Sequence, residues 1–542
     1  MNKFLSATNK LLFNKQKNIV SSALILSLMI FLSRLFGFIR YRVFVNYFSK
    51  EELDIFFASF RVPDLIFEIL ITGALTSSFI PVYLKYQKNN KELSINISSI
   101  INLIMIVMFI FILVLVLSAG RLIPIITPGL SQEKIGQVIF YTKILLIGQL
   151  PFLILGNILT ALGQANKLFL ITAIAPVIYN LMIIFFTFFF AKFLHLDATI
   201  LGVIFGALLF LISQLVIVFK IDFSYLIVLK KAAGVIDFIK TSIPRILSSI
   251  IAQIDATIDL SLATILGSGN YTIFYFSQHL QLLPISIIGM AFGQASLPYL
   301  SEIYNKNNFD DFKKLIRQSI LNILYITVPI AFFFIFARTP LVRIFFGGQR
   351  FDWSATVVTA ITLSYFSLSI PFHSLYYFIV RIFYAILDTK TPFFVGLLTV
   401  ALNSLISIFF VLVYRFPVWS LAAAFSFSIT LNCLILIIFL HKRFKLLFDL
   451  SFFKAIFKIV FISFSSSLIA YSLLKLTDRL IIDTSRTINV FFLLTMIFSV
   501  FFALYLVQSL IFSVKEVFLL IKLIRKIKEF PKKFFEVTTQ YE

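Results

Sequence analysis

Apolar stretches of about 20 residues recur along the whole chain, starting with "IVSSALILSLMIFL" at residues 19–32, and stretches of that length cross a bilayer as helices. Strands of a barrel would need only about 10 residues with strict in–out alternation, so a helical bundle is expected instead. Composition agrees: of 542 residues, 60% are hydrophobic and 13% charged, against roughly 45–50% apolar residues in a soluble domain. The net charge of +23 does not point to nucleic acid, because Lys and Arg sit mostly in short loops between the apolar runs. The single cysteine, Cys433, excludes a disulfide framework and a Cys-based metal site, and is read as a small buried hydrophobe.

The expected architecture is an all-α integral membrane protein of about fourteen transmembrane helices, near residues 19–48, 54–86, 94–118, 135–161, 168–192, 197–219, 238–267, 271–303, 316–337, 356–387, 392–414, 418–440, 453–474 and 487–521. Alternate loops, among them "KYQKNNKE", "NKNNFDDFKK" and "HKRFK", carry the larger share of Lys and Arg, which places both termini in the cytoplasm by the positive-inside rule. "FIPVYLKY" matches "SLPYLSEIY" with Pro81 and Pro298 in register, and Lys167 to Asn180 is spaced as Lys390 to Asn403, an offset of about 220 residues. Residues 1–18 are thus read as a cytoplasmic N-terminus, 19–222 and 236–445 as two six-helix lobes with pseudo-twofold symmetry, 453–521 as two additional helices, and 522–542 as a basic cytoplasmic tail. Parallel repeats of this kind are a transporter layout, with the substrate site expected between the lobes near mid-membrane.

Charges inside spans cost about 2.5–3.5 kcal/mol each at the bilayer centre and therefore face a bundle interior or a watery cavity. Here they concentrate in the first two spans of each lobe. Ser33, Gly37 and Arg40 follow i, i+4, i+7 and share one helical face, Arg34 lies deep, and Arg42 is read as a residue that snorkels to the interface. Asp54 opens the second span, either as its N-cap or as a cavity residue. Pro63 fits a kink, and Arg61 is placed to neutralise Asp64 or Glu68. In the seventh span Arg245 precedes Asp255 and Asp259, which stand one turn apart. Such paired carboxylates suit proton or sodium coupling, or pair with Arg34, Arg40 or Arg245. His279 titrates near neutrality or hydrogen-bonds across helices. In "DTKTP", Thr391 is read as an N-cap and Pro392 as the first helical residue, with Asp388 and Arg381 ordering that end. No phosphate loop, dinucleotide fingerprint or metalloprotease motif is present, so a transporter is expected and not an enzyme.

The stretch "SRLFGFIRYRVFVNYF" with "ELDIFFASFRVPDLIFEILITGALTSSFIPVYLKY", together with "GNILTALGQANK", "APVIYN", "GMAFGQASLPYLSE" and "RIFYAILDTKTP", resembles the MurJ (MviN) family of lipid II flippases, in the multidrug/oligosaccharidyl-lipid/polysaccharide exporter superfamily. The resemblance covers essentially the whole chain. It implies two six-helix lobes, two C-terminal helices bordering a groove for a polyprenyl tail, and alternating access that carries undecaprenyl-diphosphate-linked peptidoglycan precursor from the inner to the outer leaflet for cell-wall synthesis. It further implies a bacterial cytoplasmic (inner) membrane location, lipid II and membrane lipids as partners, and a place in a cell-wall synthesis complex. No cofactor is expected beyond sodium or proton coupling and the membrane potential; the one metal considered is sodium, with Asp259 and Asn403 as its candidate ligands. Arg34 and Arg40 match the two arginines of the family's first-helix motif, and Asp54 its acidic residue opening the second helix. Four positions depart: Phe67 and His279 stand where arginines are common, Thr72 where an acid precedes the second-helix glycine, and Tyr41 where an acid follows the first-helix arginine. The diphosphate-binding set is therefore expected to be Arg34, Arg40, Asp54, His279 and Arg245. Superfamily alternatives are a cation-coupled multidrug antiporter using Asp255 and Asp259, and a flippase for another polyprenyl-linked glycan.

Overall fold

The computed structural model describes residues 19–87, 89–221, 223–445, 449–480, 483 and 486–518, and these form helices with no strand among them. The readings of residues 1–18 and of the tail 522–542 lie outside the described residues. Among those described, eleven helices are long and apolar enough to cross a membrane, or twelve if the pair Trp353–Ser367 and Ile370–Ala385, bent by 43°, is one span. Two further helical stretches, Ile19–Tyr47 and the run from Lys50 to Tyr86, carry Arg34, Arg40, Arg42, Asp54, Arg61, Asp64 and Glu68.

The chain divides into two compact units, Met1–Thr272 with Gly348–Phe351, and Ile273–Gly347 with Asp352–Glu542. The first contains α1 (Ile19–Tyr47), α2 (Lys50–Phe67), α3 (Ile80–Tyr86), α4 (Asn90–Ile126), α5 (Gln132–Gly148), α6 (Leu150–Ala165), α7 (Phe169–Leu194), α8 (Leu196–Leu215) and α9 (Ala233–Ile265). Helix α9, expected to open the second lobe, thus groups with the first unit. Its tightest pair, α7 with α8, is set by "GVIFG": a Cβ at Gly202 would lie 2.8 Å from the Phe186 Cβ, and one at Gly206 3.0 Å from the Tyr179 carbonyl oxygen. Small residues four apart let the backbones approach, and packing at that distance holds helices together in lipid where no hydrophobic gain is available.

The helix α10 (Asn270–Pro284) leads into the second unit, which holds α11 (Ala291–Asn305), α12 (Phe309–Phe336), α13 (Arg338–Phe346), α14 (Trp353–Ser367), α15 (Ile370–Ala385), α16 (Lys390–Ile408), α17 (Trp419–Phe444), α18 (Leu450–Leu480) and α19 (Thr487–Ile511). Its buried core runs through Phe312, Tyr325, Phe378, Phe383, Cys433 and Tyr505. Cys433 is completely buried, as a small hydrophobe should be.

The repeat read from sequence has local structural counterparts. A π-helical stretch begins at Glu68, thirteen residues before Pro81, and another at Ile285, thirteen residues before Pro298. Helices break before Pro151 and before Pro371, each proline standing in the first turn of the next helix. The helices that follow those breaks end in the same cap. The Leu168 amide donates to Gly163 and that of Asp388 to Phe383, with Lys167 and Leu387 at φ 63° and 61°. This is the Schellman arrangement, built twice on residues other than glycine.

Prolines within spans leave the carbonyl four residues earlier without its helical donor. At Pro63 that carbonyl belongs to Ser59 and is taken by the Thr142 hydroxyl of α5 at 3.2 Å. At Pro329 it belongs to Tyr325 and is taken by the Tyr505 hydroxyl of α19 at 2.8 Å. At these two prolines a neighbouring helix thus re-satisfies the backbone, as a water-free interior requires.

Two capping readings are corrected. Helix α2 starts at Lys50, earlier than expected, because Ser49 and Glu52 form a capping box; Asp54 is not its N-cap. Helix α16 starts at Lys390, and the cap comes from Asp388, which accepts from the Thr391 amide at 3.0 Å and hydroxyl at 2.9 Å, so Pro392 is the third helical residue and Thr391 is the capped one.

Candidate substrate site

The first unit gathers its charged residues on α1, α2 and α9. Arg34 is exposed and Arg40 half-buried on α1. The guanidinium of Arg40 lies over the rings of Tyr41 and Phe44, 4.9 and 5.8 Å from their centroids. Tyr41 itself is buried edge-to-face against Phe38, Phe44 and Phe57. Where the resemblance expects an acid after the arginine, this chain places an aromatic face beneath it, and cation–π attraction orients Arg40 without neutralising its charge. Ser33 is half-buried and its carbonyl accepts from the Asn180 amide of α7 at 3.3 Å. A Cβ at Gly37 would meet nothing within 4 Å. The small-residue face of α1 is therefore open at Gly37 and fastened at Ser33. Arg42 is half-buried on the same helix.

Arg61 crosses from α2 to α9. Its Nε and Nη2 donate to the Thr257 hydroxyl at 2.9 and 2.8 Å, and Nη2 also to the Gln253 side-chain oxygen at 2.9 Å and to the Gln253 carbonyl. The expected direct pairing within α2 is replaced by a fork between helices, because five fixed donors can bridge acceptors one turn apart. Asp64 is exposed and senses the charges of Arg61, Glu68 and Arg40; Glu68 is half-buried. Tyr179, whose hydroxyl accepts from Gln149 Nε2 at 3.1 Å, senses Arg40 and Asp64 as well. One electrostatic neighbourhood therefore holds Arg40, Arg61, Asp64 and Glu68, two basic side chains beside two acidic ones.

Asp54 has a different situation. It is fully buried, and its carboxylate accepts from the Gly269 amide, from the Thr272 amide at 2.8 Å and from the Thr272 hydroxyl at 2.8 Å. It caps the start of α10, where a negative charge meets unsatisfied amides and the positive end of the helix dipole. On α9, Arg245 is exposed, Asp255 half-buried and Asp259 buried, and Gln253 is turned to Arg61. Among the described residues no cluster of three or more His, Cys, Asp or Glu is arranged to hold a metal ion.

In the second unit, His279 is half-buried, with Nδ1 2.9 Å from the Tyr275 carbonyl and its ring 3.9 Å from that of Tyr275. Arg381 lies over Tyr384 at 5.6 Å, and the arginine that reaches Asp388 is Arg443, at 3.1 Å. Burial raises the Asp388 carboxyl, but the Thr391 hydrogen bonds and Arg443 outweigh it and hold it below the usual carboxylate range. Asn403 is buried on α16, while Asp259 belongs to the first unit.

The family model described as "Lipid II flippase MurJ" matches residues 45–492. The chain belongs to the MurJ family. A "Probable lipid II flippase MurJ" from Rickettsia prowazekii is 26% identical over 392 residues, covering 71% of this chain and 76% of that protein. A solved structure described as "Lipid II flippase MurJ, inward closed conformation" has a TM-score of 0.75 at 24% identity, covering 90% of this chain and 98% of that one. An inward-facing multidrug resistance transporter of the MATE family, in the MOP superfamily, gives 0.64 at 15% identity over 77% of this chain and 95% of that one, a likeness of fold alone. For a MurJ family member, what sequence reading missed here is the partner set: Thr257 and Gln253 for Arg61, Thr272 for Asp54, and Tyr179 with Gln149. The spacing of Gln253 and Thr257, i and i+4 on a charged span, was the available signal for the first.

Proposed function

We propose that this chain is a lipid II flippase that moves the undecaprenyl-diphosphate-linked peptidoglycan precursor from the inner to the outer leaflet by alternating access. The family match across residues 45–492 carries the reading. The site chemistry supports it. A diphosphate entering the neighbourhood of Arg40 offers oxygens for charge-assisted, often bidentate hydrogen bonds, and the Tyr41 ring helps orient the guanidinium. Arg34, exposed on the same helix, adds to the positive field, with Arg245 on α9 as a further contributor. The acids nearby make binding an exchange of partners, which favours release as well as capture. Asp255 and Asp259 on α9 are the groups for proton or sodium coupling, and the membrane potential biases movement of the charged headgroup. The protein resides in a bacterial cytoplasmic membrane with both termini cytoplasmic, works without covalent chemistry, and serves a cell-wall synthesis complex.

Depletion in the native cell tests this, by measuring which lipid-linked precursor accumulates and on which leaflet. Inner-leaflet lipid II is the expected result. Undisturbed lipid II with lost drug efflux would establish instead the cation-coupled antiporter to which the MATE likeness of fold and the Asp255–Asp259 pair lend themselves; accumulation of a different glycolipid would establish a different substrate. Arg40→Ala that complements the depleted cell undiminished would remove Arg40 from the site.

A further inference from the structure

Between α8 and α9 the chain runs without helix from Phe223 to Ala232, alongside α4, and its backbone is hydrogen-bonded to side chains in place of a strand or helix. The Leu226 amide donates to the Ser98 hydroxyl at 2.9 Å, and the Lys230 amide to the Ser99 hydroxyl at 3.2 Å. The Asn102 side-chain amide donates to the carbonyls of Leu226 and Val228 at 3.2 and 2.8 Å, and its oxygen accepts from the Tyr225 hydroxyl. Past the segment, the Gly234 amide donates to the Asn96 side-chain oxygen at 2.8 Å. Two tight turns complete the set, Val228 amide to Leu226 carbonyl at 2.9 Å and Ala232 amide to Lys230 carbonyl at 2.8 Å. Irregular backbone is excluded from lipid because its polar groups go unpaired; here that objection is removed at each of these groups.

The outward face is apolar and then basic. Ile227 is 90% exposed and Leu229 58%, Tyr225 is exposed beside them, and the exposed Lys230 and Lys231 follow directly. The segment is continuous with Leu196–Lys220 before it and Ala233–Ile265 after it, both long and apolar enough to span. The ladder on α4 reaches Asn102, about 18 Å from the helix start at 1.5 Å per residue, at the polar end of a run that then turns wholly apolar. Exposed apolar side chains followed by lysines match one partner in chemistry, a leaflet containing anionic phospholipid. We propose that Phe223–Ala232 is a lipid-binding strap: Ile227 and Leu229 enter the acyl region, Lys230 and Lys231 hold anionic headgroups, and Asn96, Ser98, Ser99 and Asn102 make the immersion affordable by pairing the backbone.

The test uses the full-length protein in liposomes with a fluorophore on Ile227→Cys, the native Cys433 being fully buried and out of reach of the label. Brominated phosphatidylglycerol and brominated phosphatidylcholine serve as contact quenchers. Quenching by both is expected, with phosphatidylglycerol preferred, and Lys230→Gln/Lys231→Gln reducing that preference about fivefold for each lysine removed. Absence of quenching by either lipid, in this variant and in a second labelled at Leu229→Cys, overturns the immersion. Equal quenching by the two lipids, unchanged by the lysine substitutions, overturns the headgroup assignment. Since the readout is lipid contact and not transport, it stands apart from the flippase reading.

Discussion

The hydroxyl of Tyr505 donates to the main-chain oxygen of Tyr325 across 2.8 Å, at the carbonyl that Pro329 deprives of its helical donor. Tyr505→Phe leaves that carbonyl buried and unpaired, at a cost of about 1–3 kcal/mol. The melting temperature of the detergent-solubilised protein should fall accordingly, and the loss should shrink in a Pro329→Ala background, where the helix supplies its own donor. Thr142→Val should behave in the same way against Pro63→Ala, because the Ser59 carbonyl is the corresponding acceptor. Equal losses with and without the proline would show that the hydroxyls act by packing alone.

Arg61 joins α2 to α9 through Thr257 and Gln253. Arg61→Lys keeps the charge and loses the fork, and Thr257→Val removes an acceptor used by two of its nitrogens. The pair should be non-additive by about 0.5–3 kcal/mol in a double-mutant cycle of thermal stability. Complementation of depleted cells should drop in both single variants. Strict additivity would mean that Arg61 has its effect elsewhere.

Asp54 is expected to matter for folding and not for substrate affinity. Three hydrogen bonds converge on its buried carboxylate, so Asp54→Ala should cost about 3 kcal/mol or more. Asp54→Asn, which accepts on one oxygen only, should fall between the two. Whatever fraction of the Asp54→Asn protein folds should bind lipid II with unchanged affinity in a direct binding measurement, and a large loss of affinity in folded protein would return Asp54 to the substrate site.

Outside the spans, Arg317 donates to Asp449 at 2.6 Å, and Ser451 and the Phe452 amide at 2.9 Å donate as well, which together hold the Asp449 carboxyl well below the usual range. A carboxyl depressed in the folded state stabilises above its unfolded value, near about 4, and that contribution is lost as pH falls through the folded value. Proteolytic nicking at the start of α18 (Leu450–Leu480) should therefore increase on acidification below about pH 4 in the native sequence. In Asp449→Asn it should be high already at neutral pH and change little on acidification. A native protein whose nicking is flat from pH 6 to 3 would remove Asp449 from this role.

The all-helical membrane class and most of the spans were legible in the residues because they are written locally. Twenty apolar residues make a helix in lipid wherever they occur, and Pro81 and Pro298 keep their register in any tertiary setting. Even so, local reading misplaced the starts of α2 and α16, since several adjacent residues can cap and only the built turn shows whether Ser49 or Asp54, Asp388 or Thr391, holds the amides. Partners far apart in the chain were decided by tertiary structure alone. Asp54 meets Thr272 and Arg61 meets Thr257 because segments 218 and 196 residues apart pack side by side; the Gln253–Thr257 spacing marks an acceptor pair but does not name Arg61 as its partner. The polar residues of "NISSIIN" at 96–102 were visible as an interruption in an apolar run; that they pair the backbone of Phe223–Ala232 required the two segments to be brought together. The physical reason is common to all of these: periodicity and propensity act over one or two turns, whereas a buried polar group is satisfied by whichever neighbour packing delivers.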